Sequence, residues 1–405
     1  MEMPRFTRGL AEVGAQVYGL GDFPLEHIPD ETKRWLTDYL QVPTLGDEES
    51  VVQHALPALR RLKPDRVECL WEVGVELAAR LRAELGIPGL GPDDARDFRD
   101  KDRMKARLER AGLRVPRHAR VRSLEDLHAA ARHIGFPLIV KPIDGAGTRD
   151  TFKLSNEEEL QAVLPKIRHV PEMIAEEFIE GDEFTYDTVC IGGNPVFESI
   201  AQYHPNPLQS RTLEWISPAQ IVLRDPHIPQ LADAVDFGRK VLRVMGMGTG
   251  FTHMEWFRKP VRSGQYNQPN QQSEVVFGEI AARAPGGRLV DQMNYANDFN
   301  VYREWARAVC WHTFEQTPQR RYHCAAVFKR AQGRGRITRI EGLEEVKREV
   351  GSALVSEELL PIGAERRDWK QTLLSDGVLI ARHRDHDGML HVMDRLVTGV
   401  RMYAE

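Results

Sequence analysis

Lys101, Lys141 and the segment Gly145-Ala146-Gly147-Thr148 are residue types that a phosphate group requires. Lys141 ends the apolar run Phe136-Pro137-Leu138-Ile139-Val140, and small residues follow it at once. Glycines let backbone N–H groups approach an anion closely, and a lysine adds a compact positive charge. Neither the P-loop pattern nor GxGxxG after the first strand is present, and Lys141 taken alone reads as a solvated surface lysine. A second set is Glu255, in His253-Met254-Glu255-Trp256, and Glu279, in Phe277-Gly278-Glu279-Ile280, single carboxylates inside apolar strands. Buried strand carboxylates need partners. If the strands are neighbours, both point to one face and suit magnesium, which takes one or two carboxylates plus phosphate oxygens. Two salt-bridged edge residues would give the same pattern. Arg283, just before Pro285-Gly286-Gly287, offers a planar fork to a carboxylate, a phosphoryl group or a surface ion-pair partner.

The run Glu176-Glu177-Phe178-Ile179-Glu180-Gly181-Asp182-Glu183 carries an apolar strand into an acidic turn. As a hinge, its backbone can hydrogen-bond a purine while a carboxylate takes ribose hydroxyls; as a plain connector it does neither. Arg211 and Glu214 lie in a stretch from Tyr203 to Trp215 whose mixed groups suit an amino-acid-like ligand or a surface loop. His383, Asp385, His386 and Asp387 read as a solvated turn, and the basic stretch from Arg320 to Arg339 as solvated strand faces.

These residues must be positioned by alternating elements. Helix, strand, turn and helix follow one another over 5–13, 16–20, 21–22 and 32–40, then helix over 51–62, strand over 66–71 and helix over 75–85, which predicts a parallel sheet. Such a domain ordinarily opens with a strand, so a missing first strand or a misplaced start is expected. A helix spans 94–111, and another spans 123–134 with Ser123 as N-cap and Asp126 in the capping-box position. The Lys141 strand, a helix at 156–166 and a strand at 173–179 follow. From 184 to 202 a hairpin turns at Gly192-Gly193-Asn194, so the sheet there is antiparallel. A helix over 229–245, strands over 252–257 and 275–280 around a polar loop at 261–273, helices over 299–310 and 343–349, and a strand over 377–383 complete the pattern.

With 405 residues the chain has room for two or three domains. Hydrophobic content of 41% and charged content of 28% are those of a folded globular protein. A formal charge of -5 provides no positive field for nucleic acid. No apolar run is long enough to span a bilayer, and no secretion signal opens the chain, so no membrane partner and a cytoplasmic location are expected. Cys69, Cys190, Cys310 and Cys324 are too scattered for a zinc or redox motif and read as free thiols.

Taken in order, Asp100-Lys101, Met104-Lys105, Ala111-Gly112-Leu113-Arg114-Val115-Pro116, residues 136–142, 176–183, Glu255 and Gly278-Glu279-Ile280-Ala281-Ala282-Arg283 resemble the ATP-grasp superfamily. The resemblance covers about residues 95–300 and falls nearest the carboxylate–amine ligases of the L-amino-acid ligase type, with biotin carboxylase more distant. It implies an α/β and α+β chain: an N-terminal parallel α/β pre-ATP-grasp domain over 1–95, a small lobe with a glycine-loop lid over 96–180, a large lobe with the metal site over 181–310, and a C-terminal α+β portion over 311–405. It implies ATP as the nucleotide, with Lys101 and Lys141 on its phosphates, the loop of Gly145 and Gly147 closing over them, and Glu176 with the backbone of Glu177 and Ile179 at adenine. Glu183 would take the ribose, and Glu255 and Glu279 would hold magnesium or manganese. Arg283, with Lys141, would be catalytic. Arg211, Glu214, Arg283, Gly286 and Gly287 would meet the substrate. Family members often carry Asn where this chain has Ala281, which leaves the metal shell one ligand short.

The activity so implied is attack of a carboxylate on the γ-phosphate, giving ADP and an acylphosphate that an amine captures as an amide, with an amino acid as a substrate. The 145–149 loop and the 203–217 segment are the candidate lids that keep water out. The resemblance also implies a homodimer. Two other readings compete: a carboxylase or carbamoyl-phosphate-like enzyme that activates bicarbonate, and a nucleotide-binding protein without catalysis.

Overall fold

The computed structural model describes residues 3–145, 147, 150–260, 273–372 and 374–405. Parts of the two loops singled out above, residues 146, 148 and 149 and residues 261–272, lie outside the described residues.

A two-stranded parallel sheet, Tyr18–Gly21 with Asp38–Gln41, packs with the helices Glu48–Leu62 and Val75–Leu85 around Val42, Val51, Val52, Ala55, Leu77 and Leu81. Two expectations for this region need correction. The helix read over 32–40 is one turn, Asp30–Lys33, followed by the second strand, because pairing with the first strand outweighs a short amphipathic pattern. The strand read over 66–71 joins no ladder among the described residues; side chains dock it instead, Arg82 donating to the Val67 carbonyl and Arg66 donating to that of Val309.

The helix expected over 94–111 is two helices, Pro92–Asp97 and Lys101–Arg110. The Asp100 side chain accepts from the amides of Asp102 and Arg103, and this cap starts the second helix afresh at Lys101. Next comes a four-stranded antiparallel sheet in the order His118–Val121, Met173–Glu177, Leu138–Pro142, Phe152–Leu154. The helices Leu124–Ile134, with its Ser123–Asp126 capping box, and Glu157–Ile167 back it.

The largest sheet has eight antiparallel strands in the order Ser273–Ala281, Gly250–Pro260, Asp182–Ile191, Asn194–His204, Ala219–Val222, His323–Lys329, Gly377–His383, Leu354–Leu359. The expected hairpin is its centre. The helices Leu289–Asn297 and Val301–Trp311 cover part of one face, and Ala232–Met245 and His386–Gly399 cover the other. Strand His323–Lys329, read as solvated, is almost wholly buried, because it lies inside this sheet under helices on both sides. A small sheet of Gln332–Gly333, Arg401–Ala404 and Ile337–Glu341 closes the fold. No described helix is long and apolar enough to cross a membrane.

Candidate active site

Lys101 opens its helix, donates to the Gly145 carbonyl at 2.7 Å, and lies 3.5 Å from Glu279 Oε2. Lys141, on the four-stranded sheet, stands 3.0 Å from Glu176 Oε2 and 3.8 Å from the same Glu279 oxygen. Two lysines from different elements thus converge on one carboxylate. Burial opposes ionisation of Glu279, but Lys101, Lys141, Lys105 and Arg283 outweigh it and hold the carboxyl down at about 2. Burial likewise opposes the charge on Lys141, and Glu176 with Glu279 raises its pKa above the usual lysine value.

Glu255 and Glu279 are direct cross-strand partners, which places both carboxylates at one point of the large sheet. The register slips there by one residue: Trp256 pairs with Phe277, so Gly278 is the extra residue of a bulge. A Cβ on Gly278 would stand 2.7 Å from the Glu255 carbonyl oxygen, so only glycine lets the two backbones approach this closely.

Beside Glu255 lies a polar chain absent from the sequence reading. His253, opposite Asp187 in the ladder, holds it by Nδ1 at 2.6 Å and has Nε2 3.7 Å from Glu255 Oε1. Thr185 donates to Asp187, and Tyr203 donates to Glu255 at 3.3 Å. Burial disfavours the imidazolium, yet Asp187 and Glu255 raise the His253 pKa to about 9. Two-residue periodicity on adjacent strands was the available signal, but it identifies the partners only once the strand order is known. Ala281 is the cross-strand partner of His253. Burial and the neighbouring Glu255 push the Glu183 carboxyl well above its ordinary value.

Arg283 donates from Nε to Glu72 and from another nitrogen to the Ala284 carbonyl at 2.8 Å. Glu72 also accepts from Arg99 at 2.7 Å, and Arg99 donates to the Asp144 carbonyl at 2.6 Å, next to Gly145. Neither Glu72 nor Arg99 was singled out from sequence, since each is an ordinary surface type in its local pattern. Burial opposes ionisation of Glu72, and Arg283 with Arg99 lowers its pKa regardless.

Both carboxylate oxygens of Glu176 are taken, one by Lys141 and the other by Lys105 at 2.8 Å. Glu177 is held by Arg114, and its amide is committed to the Arg117 carbonyl; Ile179 is buried. Arg211 donates to the Lys370 carbonyl at 2.6 Å, and one of its terminal nitrogens would be 3.6 Å from a Cβ on Gly147, which sets it beside the glycine loop. Glu214 pairs with Arg366 at 2.9 Å. Gly287, with φ of 60°, presents its carbonyl to Gln220 at 2.6 Å; Gly286 immediately precedes it. Asp385 caps the helix His386–Gly399, in keeping with a turn.

Residues 98–207 match the ATP-grasp domain family. The L-arginine-specific L-amino acid ligase of Bacillus subtilis is 29% identical over 232 residues, 56% of this chain and 52% of that one. The chain therefore spans about half the length of the curated relatives it matches. A crystal structure of L-amino acid ligase from Bacillus licheniformis superposes with a TM-score of 0.79 at 19% identity, covering 100% of this chain and 96% of that one. N5-carboxyaminoimidazole synthetase from Staphylococcus aureus, solved with ADP, does so at 0.68 and 18% identity, covering 97% and 94%. The fold is that of the ATP-grasp enzymes. The match over residues 98–207 and the likeness to these ligases agree with the ATP-grasp, carboxylate–amine ligase resemblance of the sequence.

Proposed function

We propose that the protein is an ATP-dependent ligase that joins a carboxylate to an amine through an acylphosphate, releasing ADP and phosphate, with an amino acid on at least one side. The observation that carries this reading is the convergence of Lys101 and Lys141 on Glu279, itself opposite Glu255 in the sheet.

Two adjoining carboxylates give magnesium the hard oxygen donors it takes alongside phosphate oxygens, so Glu255 and Glu279 fit as its ligands. Among the described residues no larger group of His, Cys, Asp or Glu is arranged to hold a metal. Magnesium, when bound, neutralises phosphate charge. Lys101 and Lys141 neutralise the same charge from the protein side and orient the γ-phosphate for in-line attack by the substrate carboxylate. The carboxylate oxygen bonds to phosphorus as the bond to the ADP oxygen breaks. The amine nitrogen then attacks the acyl carbon, phosphate leaves, and the nitrogen loses a proton. Arg283, its side chain fixed by Glu72, faces the charge that builds on the transferred group. A nucleophilic Ser or Cys is not needed.

The test is ADP and phosphate release with ATP, magnesium and pooled amino acids and small carboxylates, with mass spectrometry of the mixture and Glu279→Gln as the control. The expected result is release that depends on one acid and one amine, a product equal to their summed mass less one water, and no release by the variant. Release that needs bicarbonate alone would move the protein to the carboxylases. ATP binding without release under any pool would leave a non-catalytic nucleotide-binding protein.

A further inference from the structure

Lys105 is a buried cation that this mechanism does not use. It is completely enclosed, one helical turn beyond Lys101 on the same helix. A buried ammonium group without partners is strongly disfavoured. Its Nζ has two: Glu176 Oε1 at 2.8 Å, on the four-stranded sheet, and the Gly278 carbonyl at 2.8 Å, on the eight-stranded one. The second contact is informative. Gly278 is the bulge residue between the Glu255–Glu279 and Trp256–Phe277 pairs, and Lys105 donates to its carbonyl. The first contact continues to the phosphate-facing lysine, since the other oxygen of Glu176 holds Lys141 at 3.0 Å. Met104 reinforces the joint, its sulfur accepting from the Ile280 amide at 3.4 Å.

We propose that Lys105 is a positioning residue of the nucleotide site: it fixes Glu176, and through it Lys141, while clamping the bulge that sets Glu279 against Glu255. The role rests on the nucleotide reading above and goes beyond it by assigning a duty to a residue that touches neither phosphate nor metal. Without Lys105, Glu176 has Lys141 as its remaining ammonium partner and draws it away from the phosphates. The loss should therefore be felt through Lys141.

The test is a double-mutant cycle on ATP affinity, measured calorimetrically with wild type, Lys105→Met, Lys141→Ala and the double variant, each checked for fold by circular dichroism. Lys105→Met should weaken ATP binding about tenfold, within the usual range of coupling between contacting residues, and should change affinity less than about twofold in the Lys141→Ala background. A purely structural lysine would add its full penalty in both backgrounds, and that result overturns the role. So does wild-type-like affinity in Lys105→Met. If that variant fails to fold, Glu176→Gln removes the middle of the same chain and should show the same non-additivity with Lys141→Ala; additivity there also overturns the role. A wild type with no ATP affinity overturns the nucleotide reading and this role together, and is thereby distinguished from failure of the role alone.

Discussion

Arg283 and Glu176 show how much of the site's chemistry depends on which charges are already paired. Glu72 holds Arg283 by Nε, and the Ala284 carbonyl holds a second nitrogen, so the guanidinium is oriented before any substrate arrives. A group of this kind acts on charge that develops in the transition state. Arg283→Ala should therefore lower kcat by roughly 10²–10³-fold while the Kd for ATP stays within a few-fold. Steady-state kinetics beside calorimetry measure both, and lost ATP affinity at unchanged kcat would contradict this role. Glu176 makes a prediction about stability. Burial would raise its pKa, but Lys105 and Lys141 bring it down to about 2 from 4.5. A carboxyl depressed in the folded state stabilises the protein above its unfolded pKa, and loses that contribution as pH falls through the folded value. Glu176→Gln should thus cost a few kcal/mol near pH 7, and the gap to wild type should close between about pH 4.5 and 2, as read by urea unfolding at several pH values.

The element that sets Glu255 against Glu279 is a bulged strand pair, and a substitution at its tightest point tests it. Gly278→Ala would drive a Cβ against the Glu255 carbonyl, a backbone atom that cannot swing aside. We expect a loss of about 1–3 kcal/mol in stability and a higher magnesium concentration for half-maximal ADP release; thermal unfolding and a magnesium titration check the two effects. The strands themselves were legible, since single carboxylates in apolar runs forced the question of a shared face, and the Gly192-Gly193-Asn194 turn marked the central hairpin. The bulge was not, because one extra residue leaves no periodic trace in so short a run. Other failures have the same local character. A helical pattern runs through 94–111, yet the Asp100 cap splits it, and residues 66–71 are docked by arginine side chains and not by strand pairing. Lys105 stood in a recognised motif, but only the tertiary fold shows that Glu176 and Gly278 meet it.

At the scale of the whole molecule, the segments of sequence do not coincide with the cores they build. The helix Met3–Glu12 precedes the parallel sheet but contributes to the core of the large one: Phe6 is buried against Tyr302, Trp305 and Phe251, with ring centroids 4.7, 5.1 and 6.3 Å away in edge-to-face contact. Arg5 pairs with Asp291 at the same junction. Helix amphipathicity announced an apolar face but not its destination, which is settled by the complementary surface of Val301–Trp311 some 300 residues later. Phe251 stands two residues before His253 on the strand that carries Glu255, so this packing lies on the same face of the sheet, next to the site's polar chain. Phe6→Ala should cost about 3–5 kcal/mol, since it removes a buried aromatic from a packed cluster. Hydrogen exchange should locate the loss in the strand Gly250–Pro260 and the helix Val301–Trp311, with protection in Glu48–Leu62 unchanged. Loosening confined to Glu48–Leu62 would mean that the first helix belongs energetically to the parallel α/β unit it precedes.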